Sequence, residues 1–367
     1  MLIQIGGLGF MISATLFLIA LGRRIGLQER LLIAESMGLD RLGGLERLVK
    51  RIAIFVVVAE IIGAALFYIH FYTESSTGTA VWRSVFLSVS AFNNAGFAIF
   101  GNFGSLMDYQ TDTLVILVTA MLVFLGGISF IVFANVLTAR RLSRLSLDTK
   151  IVLSTTGVLL GLGTIVILLT EYSNPATIGP LAFPQKILVA FFQSVSPRTA
   201  GFTTIDIGSL KEVTLFTTIL LMFVGGAAGS TAGGIKVNTL GMLAATIWGS
   251  LRGKENAGAF GREFAVQQIY RAMAVVALSL GLVAFVVFVL TMTEDFRFLY
   301  LLFETISAFG TVGLSTGITP DLTAAGHVII ILTMFVGRLG PLALALILVQ
   351  RQKPTKYQHP REGLRIG

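Results

Sequence analysis

One short segment occurs three times along this chain, and its spacing constrains the fold more than any other feature. Each copy reads polar, then Ala or Val, then Gly, then a large apolar residue. The copies align on their glycines without gaps, the glycines lie 105 and 112 residues apart, and a Phe stands ten positions before each. A repeat of this period predicts several copies of one membrane hairpin around a shared axis. The copies are Ser90–Phe97, Ser196–Phe202 and Ser307–Leu314, preceded by Phe86, Phe191 and Phe303.

Composition also indicates a membrane protein. Hydrophobic residues are 54% of the chain, charged residues are 13%, and the mean hydropathy is +0.85, whereas soluble domains carry about 25% charged residues. Cysteine is absent, which excludes disulfides, a thiol nucleophile and a Cys-ligated metal. The three histidines are scattered, and no His-Glu-x-x-His or Gly-x-Ser-x-Gly motif occurs. The sequence therefore predicts that the protein is not an enzyme.

The net charge of +8 results from basic loops rather than from a basic surface. Of the 27 Lys and Arg residues, 20 lie in four hydrophilic stretches that follow every second apolar block. This is the positive-inside pattern of a polytopic membrane protein, and it argues against nucleic-acid binding. We expect a multi-pass protein of the plasma membrane with a cytoplasmic C-terminus. The four stretches are 23–51, 140–150, 252–271 and 351–365.

The apolar segments fall into two length classes. Seven are long enough to cross a bilayer, which takes about 20 residues, and three of about 12–14 residues suit re-entrant helices that lead into the glycine motifs. The sequence predicts an all-α polytopic membrane protein of repeated helix–pore loop–helix units around a pseudo-fourfold pore. The predicted spans are 2–22, 51–72, 111–138, 150–171, 212–247, 264–293 and 323–350, and the re-entrant segments are 82–94, 184–197 and 297–308.

A second Gly-rich segment marks four second helices, one more than the number of glycine loops. They are Ile5–Phe10, Leu125–Phe130, Val224–Gly229 and Val336–Pro341. We therefore expect the first repeat to be incomplete, with its outer helix and pore loop upstream of Met1, and a chain of this extent to be non-conducting. The predicted division is 1–49 (end of repeat 1 and a cytoplasmic loop), 50–148 (repeat 2), 149–262 (repeat 3), 263–351 (repeat 4) and 352–367 (cytoplasmic tail).

The glycine loops have a chemistry suited to a monovalent cation. A backbone that presents successive carbonyls to an ion needs conformations open mainly to glycine. Such irregular backbone is tolerated at membrane depth only where it is buried in protein or lines a water-filled cavity. Several converging loops would form a ring of oxygens that replaces the hydration shell of the ion. The alternative is that the glycines only permit close helix packing. A single copy of the motif would leave this alternative open, but three matched copies disfavour it.

A third glycine-rich stretch predicts a break within the span 212–247. Gly225–Gly234 contains five glycines, a Ser and a Thr, and each glycine lowers helix stability by about 1 kcal/mol relative to Ala. We expect two half-helices joined by an intramembrane loop that lines the pore. No Gly-Lys-Ser/Thr ending follows and no strand precedes this stretch, so it is not a phosphate-binding loop.

Together these residues resemble the Trk/Ktr/HKT potassium transporters, and most of all the membrane subunit of the bacterial Ktr uptake system. The resemblance runs from residue 1 to the tail and implies a potassium-selective filter, with the intramembrane loop as the gate. The stretches that carry it are Ile5–Phe10, Asn94–Phe97, Glu171–Pro175, Ser196–Phe202 and Phe303–Leu314. The implied filter is Asn94, Ala95, Gly96, Thr199, Ala200, Gly201, Thr311, Val312 and Gly313, with potassium bound by the carbonyls of Asn94, Thr199 and Thr311. The implied gate is Gly225, Gly226, Gly229, Ser230, Thr231, Gly233, Gly234, Lys236 and Arg338.

The resemblance also implies what the chain works with. Potassium is the transported ion, sodium is a candidate activator, and no covalent cofactor is implied. The implied partners are a second copy of the chain, the lipid bilayer and a cytosolic KtrA-like ring of nucleotide-binding subunits. Two other functions stay open, namely a carrier of another monovalent cation, sodium or ammonium, and a membrane scaffold that transports nothing.

Four charged residues lie near these motifs, and three of them have two interpretations each. Arg338 interrupts an apolar helix and either pairs with Glu304 or caps loop carbonyls as a structural residue, or it places its charge beside the ion path. Glu304 either pairs with Arg338 or orients the third glycine loop. Lys236 either anchors the intramembrane loop or extends to the lipid headgroups, and Arg198 is expected to brace its own loop outside the ion path.

Overall fold

A computed structural model describes residues 1–8, 45–101, 104–139, 141–254 and 256–340, and nearly all of the described elements are helices. Three long helices are the first helices of repeats 2, 3 and 4: α2 Leu45–Phe71, α6 Leu147–Glu171 and α10 Val266–Thr293. Within the described residues these three are long and apolar enough to cross a membrane. Ser146 caps α6 by accepting a hydrogen bond from the Thr149 amide at 3.2 Å.

Each first helix is followed by a short helix that ends in a glycine loop. These pore helices are α3 Thr77–Phe92, α7 Phe183–Val195 and α11 Phe298–Gly310. The second and third begin and end within two residues of the predicted segments. The first begins five residues earlier than predicted, where the hydroxyls of Ser76 and Thr79 lie 3.0 Å apart at its start. A 13- to 16-residue helix is too short to span a bilayer, as the sequence predicts.

The second helices differ from one another. The predicted span 111–138 is not one straight helix, because α4 Thr113–Gly127 and α5 Phe130–Thr138 meet at an angle of 96°. Together the two helices are long and apolar enough for one broken span. Ile128 is extended between them, and the Ser129 hydroxyl caps α5 by accepting from the Ile131 amide. The carbonyls of Gly126 and Gly127 accept hydrogen bonds from another part of the chain instead of continuing the helix.

The break predicted in 212–247 is confirmed. The second helix of repeat 3 is divided into α8 Glu212–Phe223 and α9 Val237–Leu251. Two predicted spans lie partly outside the described residues: α1 Leu2–Leu8 is the described part of 2–22, and α12 Ala324–Leu339 is that of 323–350. A short antiparallel hairpin, β1 Gly258–Ala259 and β2 Arg262–Glu263, joins α9 to α10.

The repeats pack by one rule. The second helix of each repeat contacts the pore helix of the next, so that α1 packs on α3, α4 on α7, and α8 on α11. Buried side chains from neighbouring repeats share each core: Phe92 and Phe192 belong to one cluster, and Ile219 and Phe303 to the next. A head-to-tail rule of this kind arranges the glycine loops around a common centre when the rotation between successive repeats closes.

A polar clamp joins the two outer helices of each repeat on the side where the pore helices begin. In every case, a side chain near the end of the first helix bonds a residue that caps or precedes the second. The pairs are His70 with the Asp112 carboxylate (3.1 Å), Glu171 with the Lys211 amide (3.0 Å) and Glu294 with the Thr323 amide (3.0 Å). In repeat 2 the clamp also includes Tyr109, whose pKa is raised to about 12 by burial and by its hydrogen bond to the Glu74 carboxylate.

Candidate functional site: three glycine loops and an intramembrane loop

The glycines of the three repeated motifs come together in space. A β-carbon built on Gly96 would lie 3.1 Å from the Gly201 α-carbon, and one on Gly201 would lie 3.3 Å from the Gly96 α-carbon. A β-carbon on Gly313 would lie 3.9 Å from the Gly201 α-carbon. Residues 105 and 112 positions apart thus meet, and Gly96 and Gly201 leave no room for a side chain between them. We call the segments Ser90–Phe97, Ser196–Phe202 and Ser307–Leu314 the filter loops.

The backbone alternates in handedness along each filter loop. The glycines have φ of +72°, +76° and +89°, and the residues two positions earlier are also left-handed: Asn94 (+51°), Thr199 (+72°) and Thr311 (+51°). β-branched residues rarely adopt this conformation, so the surrounding structure must hold the two threonines in it. When successive residues alternate between right- and left-handed conformations, their peptide groups are turned so that equivalent backbone atoms lie on one side of the chain. Helix packing alone requires no such alternation, so it does not account for these loops.

A serine brackets each filter loop. The carbonyls of Ser90, Ser196 and Ser307 each accept from the backbone amide of the residue before the filter glycine, at 2.9 Å in all three repeats. Their hydroxyls donate to the carbonyl of the residue after the glycine, at 2.6 Å for Ser90 to Phe97 and for Ser307 to Leu314, with the same bond from Ser196 to Phe202. Both ends of the loop are therefore tied to one buried residue.

These hydrogen bonds correct the alignment predicted from the glycines. Counted from the serine, the loop of repeat 3 is one residue shorter than the other two, so the motifs do not align without a gap. The residue of repeat 3 equivalent to Phe86 and Phe303 is consequently Phe192, four residues before Ser196, and not Phe191. Phe192 and Phe303 are buried in the core, whereas Phe191 is only partly buried.

The side chains of the two residues before each filter glycine are uncharged, and four of the six are buried. The Asn94 amide and the Thr199 hydroxyl lie 3.3 Å apart, and both residues are buried together with Ala200 and Val312. The Ala200 and Val312 carbonyl oxygens lie 2.7 Å and 2.1 Å from where a β-carbon of Gly96 or Gly201 would stand. Across the described residues no group of three or more His, Asp or Glu could hold a metal ion. Backbone and hydroxyl oxygens are thus the groups that a cation would meet here.

The intramembrane loop, residues 224–236, lies beside the filter loops. Its Ala227 and Thr231 amides donate to the carbonyls of Gly127 (3.0 Å) and Gly126 (3.2 Å), at the bend between α4 and α5. The Thr231 hydroxyl adds a second bond to the Gly126 carbonyl at 2.9 Å. The intramembrane loop of repeat 3 therefore supplies hydrogen-bond donors to the carbonyls at the break between α4 and α5 in repeat 2. This pairing explains why the second helices of repeats 2 and 3 are both interrupted.

The loop also contacts two filter loops. A β-carbon on Gly225 would lie 3.2 Å from a Thr199 side-chain carbon, and one on Gly233 would lie 2.1 Å from the Thr311 hydroxyl. A β-carbon on Gly226 would lie 2.6 Å from the Gly127 carbonyl. Gly226 and Gly233 therefore stand where the loop meets a neighbouring repeat, and Gly225 stands against the filter loop of its own repeat.

The remaining predicted residues of the intramembrane loop shape its turns. Gly229 and Gly234 have φ of +73° and +64°, which side chains other than glycine rarely adopt. The Ser230 hydroxyl donates to the Ala227 carbonyl at 2.7 Å. Lys236 donates to the Ala232 carbonyl at 2.6 Å, so it anchors the loop and does not extend to the lipid headgroups.

Two arginines bond to carbonyls of this loop. Arg338 on α12 donates to the Thr231 carbonyl at 2.9 Å and to the Gly6 carbonyl on α1. It forms no ion pair with Glu304, which corrects that alternative. Arg198 is buried and donates to the Gly225 carbonyl at 3.2 Å, so it braces the start of the intramembrane loop rather than its own filter loop.

Sequence reasoning missed four residues of this site. Ser90, Ser196 and Ser307 could have been found, because each is the first residue of its motif. Asn238 could not, since it lies beyond the glycine-rich stretch and accepts from the Ala228 amide at 2.9 Å while its side-chain amide donates to Asp148. The first pore loop that the repeats predict lies outside the described residues.

Comparison with known proteins settles the family. A family profile described as TrkH, cation transport protein, matches residues 1–357. The chain belongs to the TrkH family of cation transport proteins. It is an integral membrane protein, and its family consists of transporters and not of enzymes, as the sequence predicts.

Individual relatives agree with this assignment. The Ktr system potassium uptake protein B of Bacillus subtilis is 43% identical over 341 residues, covering 93% of this chain and 76% of the relative. The potassium/sodium uptake protein NtpJ of Enterococcus hirae is 37% identical over 372 residues, covering 100% of this chain and 82% of the relative. The crystal structure of the potassium transporter TrkH from Vibrio parahaemolyticus has the same fold, with a TM-score of 0.73 at 17% identity over 95% of this chain and 70% of that one.

Proposed function

We propose that this chain is the potassium-translocating membrane subunit of an uptake system. The filter is formed by Asn94–Gly96, Thr199–Gly201 and Thr311–Gly313, whose carbonyls, those of Asn94, Thr199 and Thr311 among them, replace the water around K⁺. The observation that carries the proposal is the shared alternation of backbone handedness in three loops that converge on their glycines. The named activities of the two relatives above support potassium as the ion.

The intramembrane loop is the gate of this proposal. It contacts two filter loops, yet it is held mainly by hydrogen bonds to backbone carbonyls of repeat 2 and by Arg338. Its five glycines lower the energy needed to rearrange it. Arg338 places a positive charge at the Thr231 carbonyl, where it both ties the loop down and repels a passing cation.

Sodium is a second candidate cargo or activator, because one relative is named for the uptake of both ions. The proposed setting is the plasma membrane, with the basic loops and the C-terminus in the cytoplasm. The proposed partners are a second copy of this chain and a cytosolic ring of nucleotide-binding subunits, since relatives named as part of a Ktr system imply further components. The division into repeats at residues 50, 149 and 263 is part of the same proposal.

Ion binding by the purified chain provides a test that depends on neither gating nor partners. K⁺ that binds the folded state stabilises it by about 2.7 kcal/mol at 100 times its dissociation constant. We expect K⁺ to raise the thermal unfolding temperature in detergent, measured at constant ionic strength, and Li⁺ to leave it unchanged. The protein with all four pore loops should restore growth on low potassium in a bacterium that lacks its own uptake systems.

Three results would contradict the proposal. Equal stabilisation by K⁺ and Li⁺ would show that the glycine loops do not select among monovalent cations. Selective stabilisation by ammonium or sodium, with none by K⁺, would replace potassium by that ion as the cargo. A chain that binds no cation and restores no growth would support the scaffold alternative.

A further inference from the structure

The three pore helices carry different residues at one equivalent buried position. Three residues before the bracketing serine stand Leu87 in repeat 2, Gln193 in repeat 3 and Glu304 in repeat 4. Their exposed fractions are 1%, 4% and 5%, so all three are buried. The same place in the fold is thus apolar in one repeat, polar and neutral in the next, and acidic in the last.

Glu304 holds the segment that leaves the third filter loop. One carboxylate oxygen accepts from the Ser315 hydroxyl (2.7 Å), the Thr316 amide (2.9 Å) and the Thr316 hydroxyl (3.3 Å). The other accepts from the Thr319 hydroxyl at 2.8 Å. An oxygen that accepts three hydrogen bonds is typical of an ionised carboxylate, which has only acceptor sites.

Gln193 holds the equivalent segment of repeat 3 without a charge. Its amide nitrogen donates to the hydroxyls of Thr203 (3.1 Å) and Thr204 (3.3 Å). The fold therefore needs a buried polar group at this position in repeats 3 and 4, but it does not need a negative one. The charge of Glu304 requires a different explanation from its hydrogen bonds.

The charge of Glu304 is not neutralised by a neighbouring base. Among the ion pairs of the described residues, none joins Glu304 to a lysine or arginine. Thr316, which Glu304 holds, is three residues from Gly313, so their α-carbons are at most about 11 Å apart. At such a distance a unit charge changes the occupancy of a monovalent cation roughly 4- to 13-fold for effective dielectric constants of about 40 to 20.

We propose that Glu304 determines the affinity of the filter for cations through its charge, in addition to positioning the third filter loop through its hydrogen bonds. The negative charge lies on the repeat-4 side of the ring, so the ring is electrostatically asymmetric. This inference rests on the proposed function, since it concerns ions in the same filter.

Repeat 3 supplies the matched variants for a test. Glu304→Gln gives repeat 4 the residue that repeat 3 already uses, and it keeps an oxygen that can accept from the Thr316 amide. Gln193→Glu adds a charge at the equivalent position, where the Thr203 and Thr204 hydroxyls can turn to donate. K⁺ uptake would be measured as a function of external K⁺ in the uptake-deficient bacterium, with the amount of each variant in the membrane determined in parallel.

We expect E304Q to raise the K⁺ concentration for half-maximal uptake about fivefold, and Q193E to lower it. The double variant should return near the wild-type value, a result that a purely structural role of Glu304 does not produce. An unchanged half-maximal concentration in E304Q would overturn the inference while leaving the proposed function in place. If E304Q fails to reach the membrane, Q193E alone tests the inference. An unchanged or higher K⁺ concentration for half-maximal uptake in Q193E overturns it. Absence of uptake by the wild-type protein with all four pore loops would overturn the proposed function and this inference together.

Discussion

Replacing Gly201 by alanine should disrupt the filter more than any other single methyl group added to it. Gly201 has φ of +76°, and a β-carbon there would lie 2.1 Å from the Val312 carbonyl oxygen. The left-handed conformation costs alanine about 1–2 kcal/mol, and overpacking a buried site costs about 1–3 kcal/mol. We therefore expect G201A to lose roughly 2–5 kcal/mol of stability and to displace the carbonyl of a neighbouring repeat.

Alanine substitutions at two other glycines separate the conformational cost from the cost of overpacking. Gly313 is also left-handed, at +89°, but the nearest atom to its added β-carbon is 3.9 Å away, so G313A bears only the conformational cost of about 1–2 kcal/mol. Gly161 lies within α6 with nothing within 4 Å of an added β-carbon, and alanine there should stabilise the helix by about 1 kcal/mol. Thermal unfolding of the three variants in detergent, with K⁺ uptake measured beside it, gives the comparison.

The expected order of stability is G161A above wild type, then G313A, then G201A. K⁺ selectivity over Na⁺ should fall most in G201A, since only that substitution pushes a carbonyl out of place. Equal stabilities of G201A and G313A would refute the reasoning, because the contact with Val312 would then have no energetic consequence.

Three further substitutions test other parts of the site. Ser307→Ala leaves the carbonyl after the third filter glycine without its donor, which should cost about 1–3 kcal/mol in thermal unfolding and lower the ratio of K⁺ to Na⁺ uptake; an unchanged ratio would show that the serine does not shape the filter. Arg338→Ala removes the bond to the Thr231 carbonyl and should raise the maximal rate of K⁺ uptake, so unchanged kinetics would separate this arginine from gating. Glu171→Ala removes the fully buried acceptor of the repeat-3 clamp and should cost about 1–3 kcal/mol, whereas exposed Glu212→Ala should change the unfolding temperature little.

The elements of this fold follow from local properties of the chain. Short apolar segments before each glycine motif predicted the pore helices, because helix length against bilayer thickness can be read from the sequence. The break between Phe223 and Val237 was predictable for a similar reason, since the helix-destabilising effect of consecutive glycines is intrinsic to those residues. The filter glycines were predicted from a repeated pattern, which one copy would not have supported.

Contacts between repeats could not be predicted in the same way. No proline marks the bend at Ile128 in the sequence. The bend exists because the Gly126 and Gly127 carbonyls accept hydrogen bonds from the intramembrane loop, about 100 residues later in the chain. For the same reason the sequence left two partners open for Arg338, Glu304 or loop carbonyls. The structure shows a loop carbonyl, that of Thr231, because a guanidinium bonds whichever acceptor the fold brings to it.

The amino-acid sequence by itself determined which segments cross the membrane, which turn back, and where the backbone must be glycine, because burial of apolar residues and backbone conformation are decided residue by residue. Only the tertiary structure decided the register of the repeat-3 loop, the bend in repeat 2 and the neighbours of each charged side chain. Those features depend on hydrogen bonds between backbones far apart in the chain, whose partners are chosen by packing and not by residue type.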